Sequence, residues 1–271
     1  MNLLVVEMRR ALHRRAVRVL ISIALLGCVL AGVIAFATSA GKTLAELRGE
    51  ETHPAVMTEW LVAGSGGDGI LGVGFFFLLL GGLFGGATVA GAEWRFGTVT
   101  TVLTWESRRL RLHGARTASA AILAFVISYV LQVLFLAAFL PAVFANGTTR
   151  GTDADWWLAL VGAMARVSLM TAVAAVLAVA LATIGRNTAF ALITVFAWLA
   201  VAENLLRGLK PSLRPWLWGE NLAIVFTWGQ LDGEDFTRSP TLALLTLLAY
   251  SGIVAASGAA AFHRRDIAAA T

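Results

Sequence analysis

Residues 70–92 read ILGVGFFFLLLGGLFGGATVAGA, a run without one charged side chain. An α-helix needs about 20 apolar residues to cross roughly 30 Å of hydrocarbon, so this run predicts a transmembrane helix. Five further runs at 17–38, 115–143, 165–185, 188–206 and 240–262 carry the same signature, separated by short polar joints. The composition agrees. Of 271 residues, 58% are hydrophobic and 14% charged, with a mean hydropathy of +0.79, whereas a soluble domain carries about 25% charged residues. A water-soluble globule is excluded. The expectation is an all-α integral membrane protein of six transmembrane helices, forming one domain over 1–271. The first run follows the basic stretch Arg9 to Arg18 and precedes the small residues Thr38, Ser39 and Ala40, as a secretory signal would. It is longer than the apolar stretch of a signal, and five more runs follow, so it is read as a span.

Charge sets the orientation. Thirteen of the 21 basic residues fall in segments on the N-terminal side of the membrane and seven on the opposite side, while most acids, among them Glu46, Glu59, Asp153 and Glu220, fall opposite. By the positive-inside rule both termini are expected in the cytoplasm, in a multi-pass protein of the cell membrane. The formal charge of +5 and a pI near 10.3 then reflect membrane-flanking arginines, and no nucleic-acid partner is expected. Outward segments run over 39–69, 144–164 and 207–239; the sizeable inward loop is 93–114. No inverted repeat of the kind that builds many secondary transporters is visible.

Motifs for chemistry are sparse. Gly41-Lys42-Thr43 ends like a phosphate-binding loop, but Phe36 stands where that pattern needs glycine, and the stretch lies on the outer side. His13, His53, His113 and His263 are scattered singly, three of them beside arginines, and read as solvated or headgroup-facing. Ser65 between Gly64 and Gly66 has no histidine or acid at a nucleophile's spacing. The one cysteine, Cys28, lies within the first span and gives neither disulfide nor metal cluster. No catalytic residue and no metal ligand is expected.

The inward loop is more informative. Residues 93–112 read EWRFGTVTTVLTWESRRLRL. Thr98 to Thr104 spans about two helical turns with Val99, Val102 and Leu103 on one side, and Gly97 permits a sharp turn at the membrane surface. The bare reading is a short surface helix whose arginines meet anionic headgroups; the other is a knob that docks a partner. The sequence resembles the permease of an ABC-2 type transporter, in which a glutamate ends the second span, Gly-Thr follows, and a short Leu- and Thr-rich helix leads through Ser or Arg into the third span. Glu93, Gly97, Thr98, Leu103, Ser107, Arg108 and Arg109 match in order, while Trp105-Glu106 stands where the family commonly has proline. The resemblance implies that these residues, with Arg95, couple to an ABC ATPase subunit, that ATP and Mg are bound on that partner and no cofactor on this chain, and that a second permease copy or homologous permease completes the path. The implied function is movement of a hydrophobic or amphipathic solute, in the export direction. A noncatalytic membrane anchoring or assembly factor is the alternative. Residues 1–16 resemble the family's interfacial connecting helix, and their arginines also serve as topogenic charge.

Within the spans, rise arithmetic places Arg166 and Glu203 at similar heights near the outer side. A buried charge in a span costs on the order of 3 kcal/mol and is usually paired, so an Arg166–Glu203 pair is one expectation; Glu203 bonding Arg207, or both groups snorkelling, is the other. Gly81, Gly82, Gly85 and Gly86 give two overlapping small-x-x-x-small steps for close helix packing. Pro141 sits near the outer end of the third span. The outer segment 207–239, with Trp216, Trp218 and Trp228, is expected to form re-entrant helices by resemblance to the family, and Trp156 and Trp157 after Asp153 and Asp155 suggest a further interfacial helix.

Overall fold

A computed structural model of the chain describes residues 3–49, 53–61, 69–95, 97–228 and 238–264. It is 88% helical, with no β-strand among the described residues. A short α1 (Leu3–His13) leads into α2 (Arg15–Ser39), then α3 (Leu44–Gly49), α4 (Ile70–Arg95), α5 (Val99–Trp105), α6 (Arg109–Asn146) and α7 (Ala154–Gly185). The fifth span is α8 (Thr188–Ala197), a π-helical turn (Trp198–Ala202) and α9 (Glu203–Leu209) in succession; α10 (Trp218–Thr227) and α11 (Pro240–Arg264) complete the chain. Among the described residues six helices are long and apolar enough to cross a membrane, and they coincide with the six runs of the sequence.

Two of them overrun. At 1.5 Å per residue, the 38 residues of α6 span about 57 Å and the 32 of α7 about 48 Å, beyond the ~30 Å of hydrocarbon. The Asp153 carboxylate caps α7, accepting the Trp156 backbone N–H at 2.8 Å, so Trp156 and Trp157 open the long helix. The separate interfacial helix expected there is not formed. One N-cap starts a single uninterrupted helix because nothing between Ala154 and Gly185 breaks it. The Arg186 backbone, left-handed at φ 53, then closes α7, and Asn187 caps α8 by accepting the Ala189 N–H at 2.8 Å.

The helix α7 is the axis of the bundle, with 78% of its apolar window buried. Its alanines allow close approach. A Cβ on Gly82 or Gly86 of α4 would strike the α7 backbone at Thr171 or Ala175, and one on Gly258 of α11 would meet Ala180. Added at Gly81 or Gly85, a Cβ would meet nothing within 4 Å. The four glycines therefore divide: one pair packs α4 onto α7, and the other faces away from it.

The far end of the bundle from the N-terminus carries a folded cap. Trp60, buried, tilts against Phe139 and Trp156, both at 6.3 Å between centroids, and donates its indole N–H to the Pro54 carbonyl at 2.9 Å. Met57 N–H donates to Thr148 O and Thr148 N–H to Ala55 O, both at 3.1 Å. Ahead of the cap, Gly41 adopts φ +79 and Thr43 begins a capping box for α3: the Glu46 carboxylate accepts the Thr43 N–H at 2.6 Å, and the Glu46 N–H reaches Thr43 Oγ1 at 3.3 Å. The hydrogen bond from the Thr43 N–H holds the Glu46 carboxyl below the usual carboxylate range. That is the role of the Gly-Lys-Thr triplet. Ser65 lies outside the described residues.

Candidate docking site at the arginine-rich end

The 93–114 loop begins where α4 stops. Gly97 takes a left-handed φ of +66, and the Thr98 N–H returns to the Glu93 carbonyl at 3.0 Å, the six-to-one bond of a Schellman motif. The turn expected at Gly97 is therefore present. From it α5 runs Val99 to Trp105, and after an extended Glu106 the chain enters α6. Glu106 stands near the α6 N-terminus, accepting the Arg108 N–H at 3.2 Å and pairing with Arg111 at 3.0 Å. An acid there complements the helix dipole, which is what Trp105-Glu106 supplies in place of a proline.

The apolar side of α5 turns inward. Val99 is buried with Leu112 and Phe262, and Leu3, Trp94, Val102 and Leu103 pack around them. Val99, Val102 and Leu103, expected as the face offered to a partner, instead hold α5 to the ends of α1, α6 and α11. Small apolar side chains this close to the bundle gain more by joining its core than by facing water. The outward face is Thr101, Thr104 and Trp105, and Trp105 is 88% exposed. Leu3 and Phe262 meet in this one cluster, so both described ends of the chain lie at this end of the bundle.

Glu93 is buried beneath the loop. Its Oε1 pairs with Arg10 at 3.1 Å and Arg14 at 3.0 Å, and its Oε2 pairs with Arg116. Glu7, also buried, adds Arg10 at 2.6 Å and Arg116 at 3.7 Å. Arg14 further donates to the Thr88 and Val89 carbonyls at 2.7 and 3.1 Å. Burial draws the Arg14 guanidinium below its ordinary pKa, opposed by Glu93. Two acids and three arginines thus tie α1, the start of α2, the end of α4 and the start of α6 into one unit. Arg186 joins from the α7–α8 turn, its guanidinium 5.1 Å over the Trp94 ring.

The other residues expected to couple to a partner divide by exposure. Arg95, Gly97, Thr98, Ser107 and Arg108 lie at the surface, Leu103 is half-buried, and Arg109 donates to the His263 carbonyl at 3.3 Å. Glu93 belongs to the interior. His113, read from sequence as solvated, is buried and stacked 5.8 Å from Phe262, because α6 enters the bundle one turn before its apolar run begins. Sequence reasoning missed Arg10, Arg14 and Arg116 as partners of Glu93; an acid closing an uncharged span on the arginine-rich side was the available signal. Trp105 was passed over because it falls off the Val99–Val102–Leu103 face.

Arg166 and Glu203 do not pair. Glu203, buried, accepts the Trp198 indole N–H at 2.8 Å and the backbone N–H groups of Trp218 at 2.6 Å and Gly219 at 2.8 Å. It caps α10, where a carboxylate satisfies orphan amides and the positive end of the helix dipole. The Arg166 guanidinium lies 5.0 Å over the Trp228 ring. Rise arithmetic fixes height but not direction around the helix, so equal heights did not make a pair. Arg207, the other expected partner of Glu203, reaches Glu220 at 3.7 Å. No group of three or more His, Cys, Asp or Glu side chains that could hold a metal occurs among the described residues. No known protein-family model matches the chain, and no curated protein matches it.

Proposed function

We propose that the chain is the permease subunit of an ABC-2 type transporter in the cell membrane, driven by separate ATPase subunits and moving a hydrophobic or amphipathic solute outward. The observation that carries this reading is α5: a two-turn helix clamped to three chain segments through its apolar side, presenting an 88% exposed tryptophan on the other. A rigid, anchored knob transmits a push. Docked in an ATPase cleft on the cytoplasmic side, it moves with the ATPases as they close on ATP, and the Glu93 ion cluster passes that displacement to α1, α2, α4 and α6 together. Exposed large aromatics of this kind are the usual anchors of protein interfaces.

At the opposite end, α10 is proposed as a re-entrant element. The fifth span rises to Leu209, yet Trp218 stands beside Glu203, Tyr250 in the body of α11 donates to the Trp216 carbonyl at 3.1 Å, and Phe226 stacks on Phe75 at 4.6 Å. A segment that dips back in this way closes a path from outside.

The test is a photo-crosslinking residue at position 104, beside Trp105 on the exposed face of α5, in native membranes. A crosslinked ATPase subunit, with recovery falling at least tenfold in Trp105→Ala and in the Arg108→Glu/Arg109→Glu double variant, supports the permease. Capture of lipid alone by an otherwise intact, folded chain overturns it. Recovery of a protein without a nucleotide-binding loop assigns the chain to membrane anchoring instead.

A further inference from the structure

Between α2 and α4, with α6 as floor, runs an apolar groove of about 650 Å³, within the roughly 300–1,000 Å³ of small-molecule sites. Ile21, Ala24 and Cys28 form one wall, Gly81 and Gly85 the other, and Leu131 part of the floor. The wall exists because α2 leans on α6, where Gly32 lets the Ala138 backbone approach, and because Gly81 and Gly85 leave space that any other residue would fill. Along α4 the lining extends from Leu71 to Val89, about 27 Å at 1.5 Å per residue, nearly the hydrocarbon thickness. Ile23 and Phe77 at its rim are more than 60% exposed. The groove therefore opens sideways, toward lipid.

Its inner mouth is basic. Val89, which lines the groove, accepts a hydrogen bond from Arg14, and Ala11, which also lines it, adjoins a hollow bounded by Arg10, His13 and Arg14. Glu7 and Glu93 offset two of the three clustered arginines, leaving one positive charge, and the exposed Arg15 and Arg18 have no acidic partner among the described residues. The exposed His13 ring bonds the Arg9 carbonyl through Nδ1 at 2.8 Å, and its imidazolium form carries a second N–H donor at Nε2. We propose that the groove seats one phospholipid with an anionic headgroup, an acyl chain lying along α2 and α4 and the phosphate against Arg10, His13 and Arg14. Basic pockets between transmembrane helices recognise such headgroups by charge and by multiple N–H donors. A helix from a second copy in the same orientation would bring a second arginine-rich end to this mouth, and like charges disfavour it.

The experiment is native mass spectrometry of the full chain in detergent, titrated with phosphatidylglycerol or phosphatidylcholine of identical acyl chains. One phosphatidylglycerol is retained with at least tenfold preference. Gly85→Leu, which adds bulk where a Cβ meets nothing, lowers its retention at least tenfold, and Gly81→Leu does the same should Gly85→Leu unfold. His13→Glu removes the preference without closing the groove. Equal retention of both lipids by the unaltered chain, or undiminished phosphatidylglycerol in folded Gly81→Leu and Gly85→Leu, overturns the assignment. Conversion of a dimer to monomer by these variants with lipid retention unchanged also overturns it, and gives the groove to a second copy.

Discussion

The two ends of the bundle are held by different physics. At the arginine-rich end, Glu93 and Glu7 bind three guanidiniums drawn from α1, the head of α2 and α6; at the other, Trp60 fills an aromatic pocket beneath a loop pinned by two backbone hydrogen bonds. Ion pairs at fixed distances tie separate segments into a rigid unit, and a buried charge left alone is costly. An aromatic cap mainly excludes water, and its strength scales with buried area. The stiff end is the one that carries α5.

The largest effect tests the ion cluster. Glu93→Ala leaves the buried Arg116 with the longer 3.7 Å pair to Glu7 and is expected to cost about 3–5 kcal/mol, measured by reversible unfolding in mixed micelles. A loss under about 1 kcal/mol would show that the arginines find water or lipid phosphate instead. Trp60→Ala, on the aromatic side, is expected to cost about 3 kcal/mol and, unlike Glu93→Ala, to leave proteolytic protection of the 93–114 loop unchanged. Smaller again is Thr43→Ala, which opens the α3 capping box. The Glu46 carboxyl is held low in the folded chain, so the box is intact at neutral pH and weakens as acid protonates Glu46; a cap whose protease sensitivity ignored both the substitution and acid pH would contradict this. Least of all, Trp105→Ala is expected to shift stability by under about 0.5 kcal/mol while removing the partner contact. A large destabilisation would mean that Trp105 packs against its own chain.

The spans were legible because hydropathy over 20 or more residues reports burial in lipid directly. The turn at Gly97 was legible because few residues other than glycine take φ +66. Glu93 was found as part of a motif, but its partners lie 83, 79 and 23 positions away in sequence, and no local pattern joins them. The division of the four glycines was hidden too: two overlapping four-residue steps announce close packing without saying which pair meets Thr171 and Ala175 and which is left facing a groove. The aromatic cap escaped notice since residues 53–61 are too short to carry a period. Glu203 shows the same limit, its partners set by a fold-back of the chain that hydropathy does not record.

The π-helical turn at Trp198–Ala202 has a consequence for that glutamate. The Glu203 N–H bonds five residues back, to the Trp198 carbonyl, so the ladder holds one surplus residue. Each residue of an α-helix turns the side chain by about 100°. A regular α-helix over these same residues would therefore carry the carboxylate about a quarter-turn past the amides of Trp218 and Gly219, so the wide turn is what seats it there, and excising Ala200 would straighten the span while leaving α10 capped.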